Sequence, residues 1–206
     1  MASILKVDTI QDQDGNNIIN ESGDTITIGA SGDTVNVVGT LQNNGSAFAQ
    51  GITMADQWRL TATTNTGTDG AVTTNWERND STGYASLGTG LTESSGVFSF
   101  PETGLYYIVY TANINMDSTD PNVTYQLRVT TDNSTYDIVS DTASGNGSSA
   151  SGVVTTFTNS YIINVTDITN VKFIFQTNNF DASTSVSGNT SRQRTGFVIL
   201  RIGDSQ

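Results

Sequence analysis

Three glutamates, Glu77, Glu93 and Glu102, are the residues of this chain best suited to carry out a reaction. A pair of carboxyl groups flanking a glycosidic bond can serve as acid and as base or nucleophile. Little else is available. The sequence has no histidine, which excludes a Ser-His-Asp triad and His-ligated zinc, and no cysteine, which excludes thiol nucleophiles and thiolate metal sites. Each acid also has a plainer assignment: Glu102 lies in a Pro-Glu-Thr-Gly turn, and Glu77 stands next to Arg78 in a polar segment. The expectation is a protein that is not an enzyme.

Bound ions and cofactors are expected to be absent as well. DQDGNN, from Asp12, has part of the look of a calcium loop, but Gly15 is at its fourth position instead of the sixth and no glutamate closes it. Asp117 and Asp120 in MDSTDPN are candidate calcium ligands, yet aspartate before proline in a turn needs no metal. The sequons at Asn122, Asn133, Asn146 and Asn164 arise readily in a chain this rich in Thr and Asn, and no glycan is expected on them.

The elements that would position these residues sit in a chain of 206 residues with 35% hydrophobic and only 14% charged residues. Such a surface is solvated by hydroxyls and amides. A net charge of −12 argues against nucleic acid and anionic lipid as partners. The opening MASILKVDTIQDQDG has neither a basic region nor an apolar stretch of export-signal type, and no apolar run nears the ~20 residues of a membrane span. These features fit a component of a particle assembled inside a cell and released by lysis, with no membrane insertion.

Three segments are expected. Residues 1–22 alternate Ile4, Val7 and Ile10 with polar residues before a turn at Asp14-Gly15, and read as an extended arm. Residues 23–55 contain two nine-residue copies, GDTITIGAS and GDTVNVVGT, then a connector with a short helix near 47–50. Each copy is a turn and a short strand that cannot bury its apolar side alone, and two copies are too few for a solenoid, so an oligomeric β-stalk is favoured. Residues 56–206 alternate throughout as short strands: 58–63, 84–87, 97–100, 104–115, 123–130, 136–140, 153–165, 171–176 and 196–202, separated by Gly-, Ser- and Asn-rich turns. This pattern predicts an all-β sandwich of jelly-roll type.

GVFSFPETGLYYIVYTANI, residues 96–114, is the most informative stretch. Leu105, Tyr107 and Val109 point one way along a strand there, and Tyr106, Ile108 and Tyr110 the other. Both sets are apolar or aromatic, so one face enters the core and the other needs a partner. Phe98, Gly104, Tyr106 and Tyr110 in this order resemble the signature strand of the C1q and tumour-necrosis-factor-like jelly rolls. Ile108 stands where phenylalanine is usual, and Ser86 where Asn or Asp is expected. SYIINVTDITNVKFIF and TGFVILRIG are similar to the family's late hairpin and closing strand, so the resemblance spans residues 56–204.

What the resemblance implies is a jelly-roll head, preceded by the N-terminal arm and stalk, that assembles as a homotrimer. By analogy Tyr110 and Tyr161 point toward the threefold axis, and the face carrying Tyr106, Ile108 and Tyr110 is the expected contact. The N-terminal part is similar in composition to the attachment and stalk regions of bacteriophage virion fibres. The functional expectation is a non-enzymatic phage virion protein, fibre or capsid decoration, docked to other virion proteins by residues 1–22 and attached to a host-surface glycan or protein by its head. A bacterial extracellular carbohydrate- or protein-binding module and a purely capsid-stabilising decoration protein are the alternatives. Loops on a rigid sandwich carry binding, and Asn178, Asn179, Phe180, Asp181, Arg192 and Arg194 supply an aromatic ring, amides and charges suited to a sugar.

Overall fold

The computed structural model describes residues 36, 38, 39, 42, 43, 46, 47, 51–118, 120, 122–145 and 152–206. The expected arm at residues 1–22 and the first nine-residue copy lie outside the described residues, as does most of the second. Met1–Phe48 and Ala49–Gln206 form separate compact units. In the first, β1 (Gln42–Asn43) pairs antiparallel with β2 (Ser46–Ala47). Ala47 is thus in a strand where a short helix was expected, and residues 48–50 lie outside the described residues.

The second unit is built from β3 (Met54–Leu60), β4 (Gly70–Ala71), β5 (Trp76–Arg78), β6 (Thr92–Ser94), β7 (Val97–Ser99) and β8 (Gly104–Met116). It continues through β9 (Val123–Thr130), β10 (Asp137–Ser144), β11 (Val153–Val165), β12 (Lys172–Asn178), β13 (Ser185–Val186) and β14 (Gly196–Gly203). One sheet runs β10-β9-β12-β7-β6 with β4 added to β12, and the other runs β11-β8-β14-β3-β5 with β13 added to β8. All pairings are antiparallel. Each sheet turns one face inward, and aromatic rings fill the space between them. Phe98 from β7 meets Phe197 from β14 edge-on with centroids 4.9 Å apart, and stacks on Phe173 of β12 at 4.9 Å. Such pairs add ~0.5–1.5 kcal/mol each beyond the area they bury.

The long strand β8 shows the alternation that the sandwich demands. Tyr106, Ile108, Tyr110, Ala112, Ile114 and Met116 are buried, whereas Leu105, Tyr107, Val109, Thr111, Asn113 and Asn115 are half-buried on the other face. Gly196 opens β14 where a Cβ would overlap the Trp58 carbonyl, so only glycine lets β14 approach β3 before Phe197 turns into the core. The expected strand at 84–87 is reduced to one bridge, Leu87 with Ala55. Conversely β5 was hidden in the sequence. It has three residues, begins after Asn75 at φ +66°, and is too short for alternation to register.

Candidate functional site

The three glutamates are spread over separate elements, and each is occupied. Glu77 on β5 holds Arg59, with the guanidinium Nη2 2.9 Å from its carboxylate. Arg59 is almost fully buried because Asn79, Asp80 and Ser81 of the following loop also accept its protons. Glu93 accepts the Gly96 amide at 2.6 Å and closes the β6–β7 turn. Glu102 lies 3.4 Å from the Arg201 guanidinium, and its main-chain carbonyl accepts the Tyr106 hydroxyl at 2.9 Å. These carboxylates tie turns and loops to the sandwich.

The acid with the most donors is Asp56, whose side chain is wholly buried on the inward face of β3. It accepts from Arg78 Nε at 3.0 Å, Trp58 Nε1 at 3.0 Å, Tyr84 Oη at 3.0 Å and the Leu91 amide at 2.9 Å. Arg78 also lies 4.9 Å over the Trp58 ring. Burial, the hydrogen bond to Asp56 and its negative charge together raise the Tyr84 phenol above its usual value. Every donor around Asp56 is satisfied, so the cluster is a structural clasp for the 76–91 segment. The calcium candidates are engaged in the same way: Ser183 Oγ donates to Asp117, and Asp120 accepts the Asp181 amide at 3.0 Å. No group of three or more His, Cys, Asp or Glu placed to hold a metal occurs among the described residues.

The expected contact face requires correction. Tyr106, Ile108 and Tyr110 are each 0% exposed and face the opposing sheet within a single protomer. Tyr110 stacks toward Phe175 at 5.4 Å and Tyr106 against Phe100 at 4.6 Å. No partner chain can reach them. Tyr161 differs: it is opposite Ile108 in register, but β11 is the last strand of its sheet, so the ring is left 37% exposed.

The outward face of this sheet changes polarity rung by rung. Ile162, Tyr107, Leu200, Ala55 and Leu87 form one continuous rung across β11, β8, β14, β3 and the Leu87 bridge. Ile162 is 52% and Leu87 48% exposed. Ser160, Val109, Val198 and Gln57 form the next rung, and Thr158, Thr111, Gly196 and Arg59 the one after. Beyond them Asn113 faces Thr156, and Asn115 lies between Val154 and Ser185. One half of the sheet face is therefore apolar and the other amide- and hydroxyl-lined.

An open groove of about 570 Å³ occupies the polar half, with Asn113, Asn115, Ser185, Ser187, Thr63 and Arg194 along it and Val154 as its apolar member. Of the expected ligand residues only Arg194 lines it. Asn178 ends β12, and Asn179 follows it at φ +62°. Phe180 is only 6% exposed, a core residue whose amide donates to Asp69 at 2.8 Å, so its ring is not free to stack on a sugar. Asp181 and Arg192 are exposed. The serines escaped notice in the sequence, since nothing local marks Ser185 and Ser187 as neighbours of Asn113.

No known protein family matches the chain by sequence, and no curated protein does. Solved structures do. Eiger TNF from S. frugiperda aligns over 76% of this chain and 96% of its own with a TM-score of 0.59 at 12% identity. Murine APRIL at pH 5.0 aligns over 72% of this chain and 98% of its own with a TM-score of 0.52 at 10% identity. The fold is a TNF-like jelly roll. The expected all-β sandwich and the resemblance of residues 96–114 to the tumour-necrosis-factor-like signature strand agree with this at the level of fold.

Proposed function

We propose that the chain is a non-enzymatic structural protein of a phage virion, of fibre or decoration type, whose TNF-like head closes into a homotrimer and attaches to the host surface. The observation that carries the trimer is the apolar rung Ile162–Tyr107–Leu200–Ala55–Leu87 on the outward sheet face. A contiguous apolar surface of this kind marks an interaction site. It runs out at an edge strand where Tyr161 and Ile162 are exposed, so the face of one protomer can take the edge of the next. A face-to-edge contact is heterologous, and closure of a heterologous contact makes a ring. Three copies of the loops on one rigid head then gain avidity from weak single contacts.

The arm at residues 1–22 and the nine-residue copies belong to this proposal as the virion-docking and stalk parts. Light scattering on the full chain tests the trimer: a mass of three chains is expected, and a stable monomer overturns it. Deleting residues 1–22 is expected to release the protein from particles while the head stays folded, and retained particle binding refutes the docking role.

A further inference from the structure

The polar groove carries unspent hydrogen-bonding capacity. Ser185 and Ser187 are 5% and 8% exposed, both line the groove, and neither hydroxyl has a hydrogen-bond partner among the described residues. Neither oxygen is sealed from solvent, so both hydroxyls open onto the groove and can pair with a ligand. The Asn115 amide and the Thr63 hydroxyl likewise have no partner among the described residues, and Asn113 spends only its Nδ2, on Thr156 Oγ1 at 2.9 Å. Arg194 is the charged residue of the lining, and it has no ion pair among the described residues. Arg59, Arg78 and Arg201 are each held by carboxylates, whereas the exposed Arg194 keeps its guanidinium available to an anion.

We infer that this groove binds an acidic saccharide, with a uronic-acid carboxylate on Arg194 and sugar hydroxyls on Asn115, Ser185 and Ser187. A guanidinium matches a carboxylate through two parallel hydrogen bonds. Amides and hydroxyls donate and accept at once, as a sugar hydroxyl requires. No aromatic ring lines the groove, so the apolar face of a neutral sugar finds no stacking partner and charge must supply the selectivity. The volume falls within the ~300–1,000 Å³ of small-ligand sites. Asn113 lies six residues beyond Tyr107 on β8, roughly 20 Å at strand rise, so the groove is separate from the apolar rung proposed for self-association. The assignment deepens the attachment reading by naming the chemistry the head would recognise.

Saturation-transfer NMR on the full chain with digalacturonate, and with maltose as the neutral control, tests it. Saturable digalacturonate binding is expected, weakened by salt, with maltose much weaker. Arg194→Gln is expected to weaken it about tenfold or more, the loss of a charge-assisted pair, and Ser187→Ala to weaken it less. Absence of saturable binding, equal binding of maltose, or an unchanged Arg194→Gln affinity overturns the assignment. Adsorption of the full chain to bacterial cells is scored separately. Adsorption undiminished by Arg194→Gln overturns the groove as the receptor site and leaves attachment standing, whereas digalacturonate binding without adsorption supports the groove and counts against attachment.

Discussion

Tyr107 and Leu200 stand directly opposite each other across β8 and β14, on the sheet face that points away from the protomer's own core. Their immediate neighbours on the same strands, Tyr106 and Ile199, are completely buried. A charge at Leu200 therefore stands on the outward face and leaves the sandwich interior untouched. Leu200→Glu is expected to convert the proposed trimer to monomers by light scattering, with far-UV circular dichroism unchanged and the stability of the single chain altered by no more than about 0.5 kcal/mol. Ile108→Glu, one position away in face, is expected to unfold the protein instead.

Asp56 and Arg78 form the clasp over the 76–91 segment. Asp56→Asn removes the charge that Trp58, Arg78, Tyr84 and the Leu91 amide all address. Breaking a buried pair by removing one partner costs ~3–5 kcal/mol, and the lower end applies because the Arg78 side chain is 43% exposed and can rehydrate. A fall of about 3 kcal/mol in urea unfolding is expected. The Tyr84 phenol, raised by burial and then by Asp56, is expected to titrate lower in the variant, and an unchanged titration would show that burial alone raises it.

These two relationships also mark what could and could not be read in advance. Strands β8, β9, β11 and β14 were legible because alternation over eight or more residues survives any local ambiguity. The same alternation could not say which face of β8 turns inward, since tyrosines and aliphatic residues occupy both. The opposing sheet decides it, with Phe175 and Phe100 receiving Tyr110 and Tyr106. The Asp56 clasp was invisible because its partners are 22, 28 and 35 residues away in sequence. Phe180 sits in a polar loop sequence, yet the loop folds back through the hydrogen bond that its main-chain N–H donates to Asp69, 111 residues distant. The groove is assembled in the same long-range way, by β13 lying against β8.

Phe98 is the ring around which the aromatic core is organised. It contacts Trp58 at 5.4 Å, Trp76 at 5.2 Å, Phe173 at 4.9 Å and Phe197 at 4.9 Å, so both sheets lean on it. Rigid rings on every side cannot collapse into the space it would leave. Phe98→Ala is expected to cost ~3–5 kcal/mol in chemical denaturation, at the high end of that range. Phe98→Leu is expected to recover more than half of the loss, and a variant as unstable as Phe98→Ala would show that ring geometry outweighs volume.

Tyr106 supplies a pH limit on the alkaline side. Its hydroxyl donates to the Glu102 carbonyl at 2.9 Å. Burial first, and the Glu102 charge second, push its pKa from the usual 10 up to about 12. Between these values the unfolded chain gives up the phenolic proton while the folded protein keeps it. The stabilisation is therefore complete below pH 10 and is lost as the pH rises toward 12. Tyr110 and Tyr125 are raised by burial in the same direction and steepen the loss. Tyr106→Phe is expected to cost about 1 kcal/mol at neutral pH for the missing hydrogen bond. Its urea midpoint is expected to fall less steeply than the parent's as the pH is raised above 10. Parallel slopes for the two proteins would mean that this hydroxyl already ionises in the folded state, and that the Glu102 contact does not hold its proton.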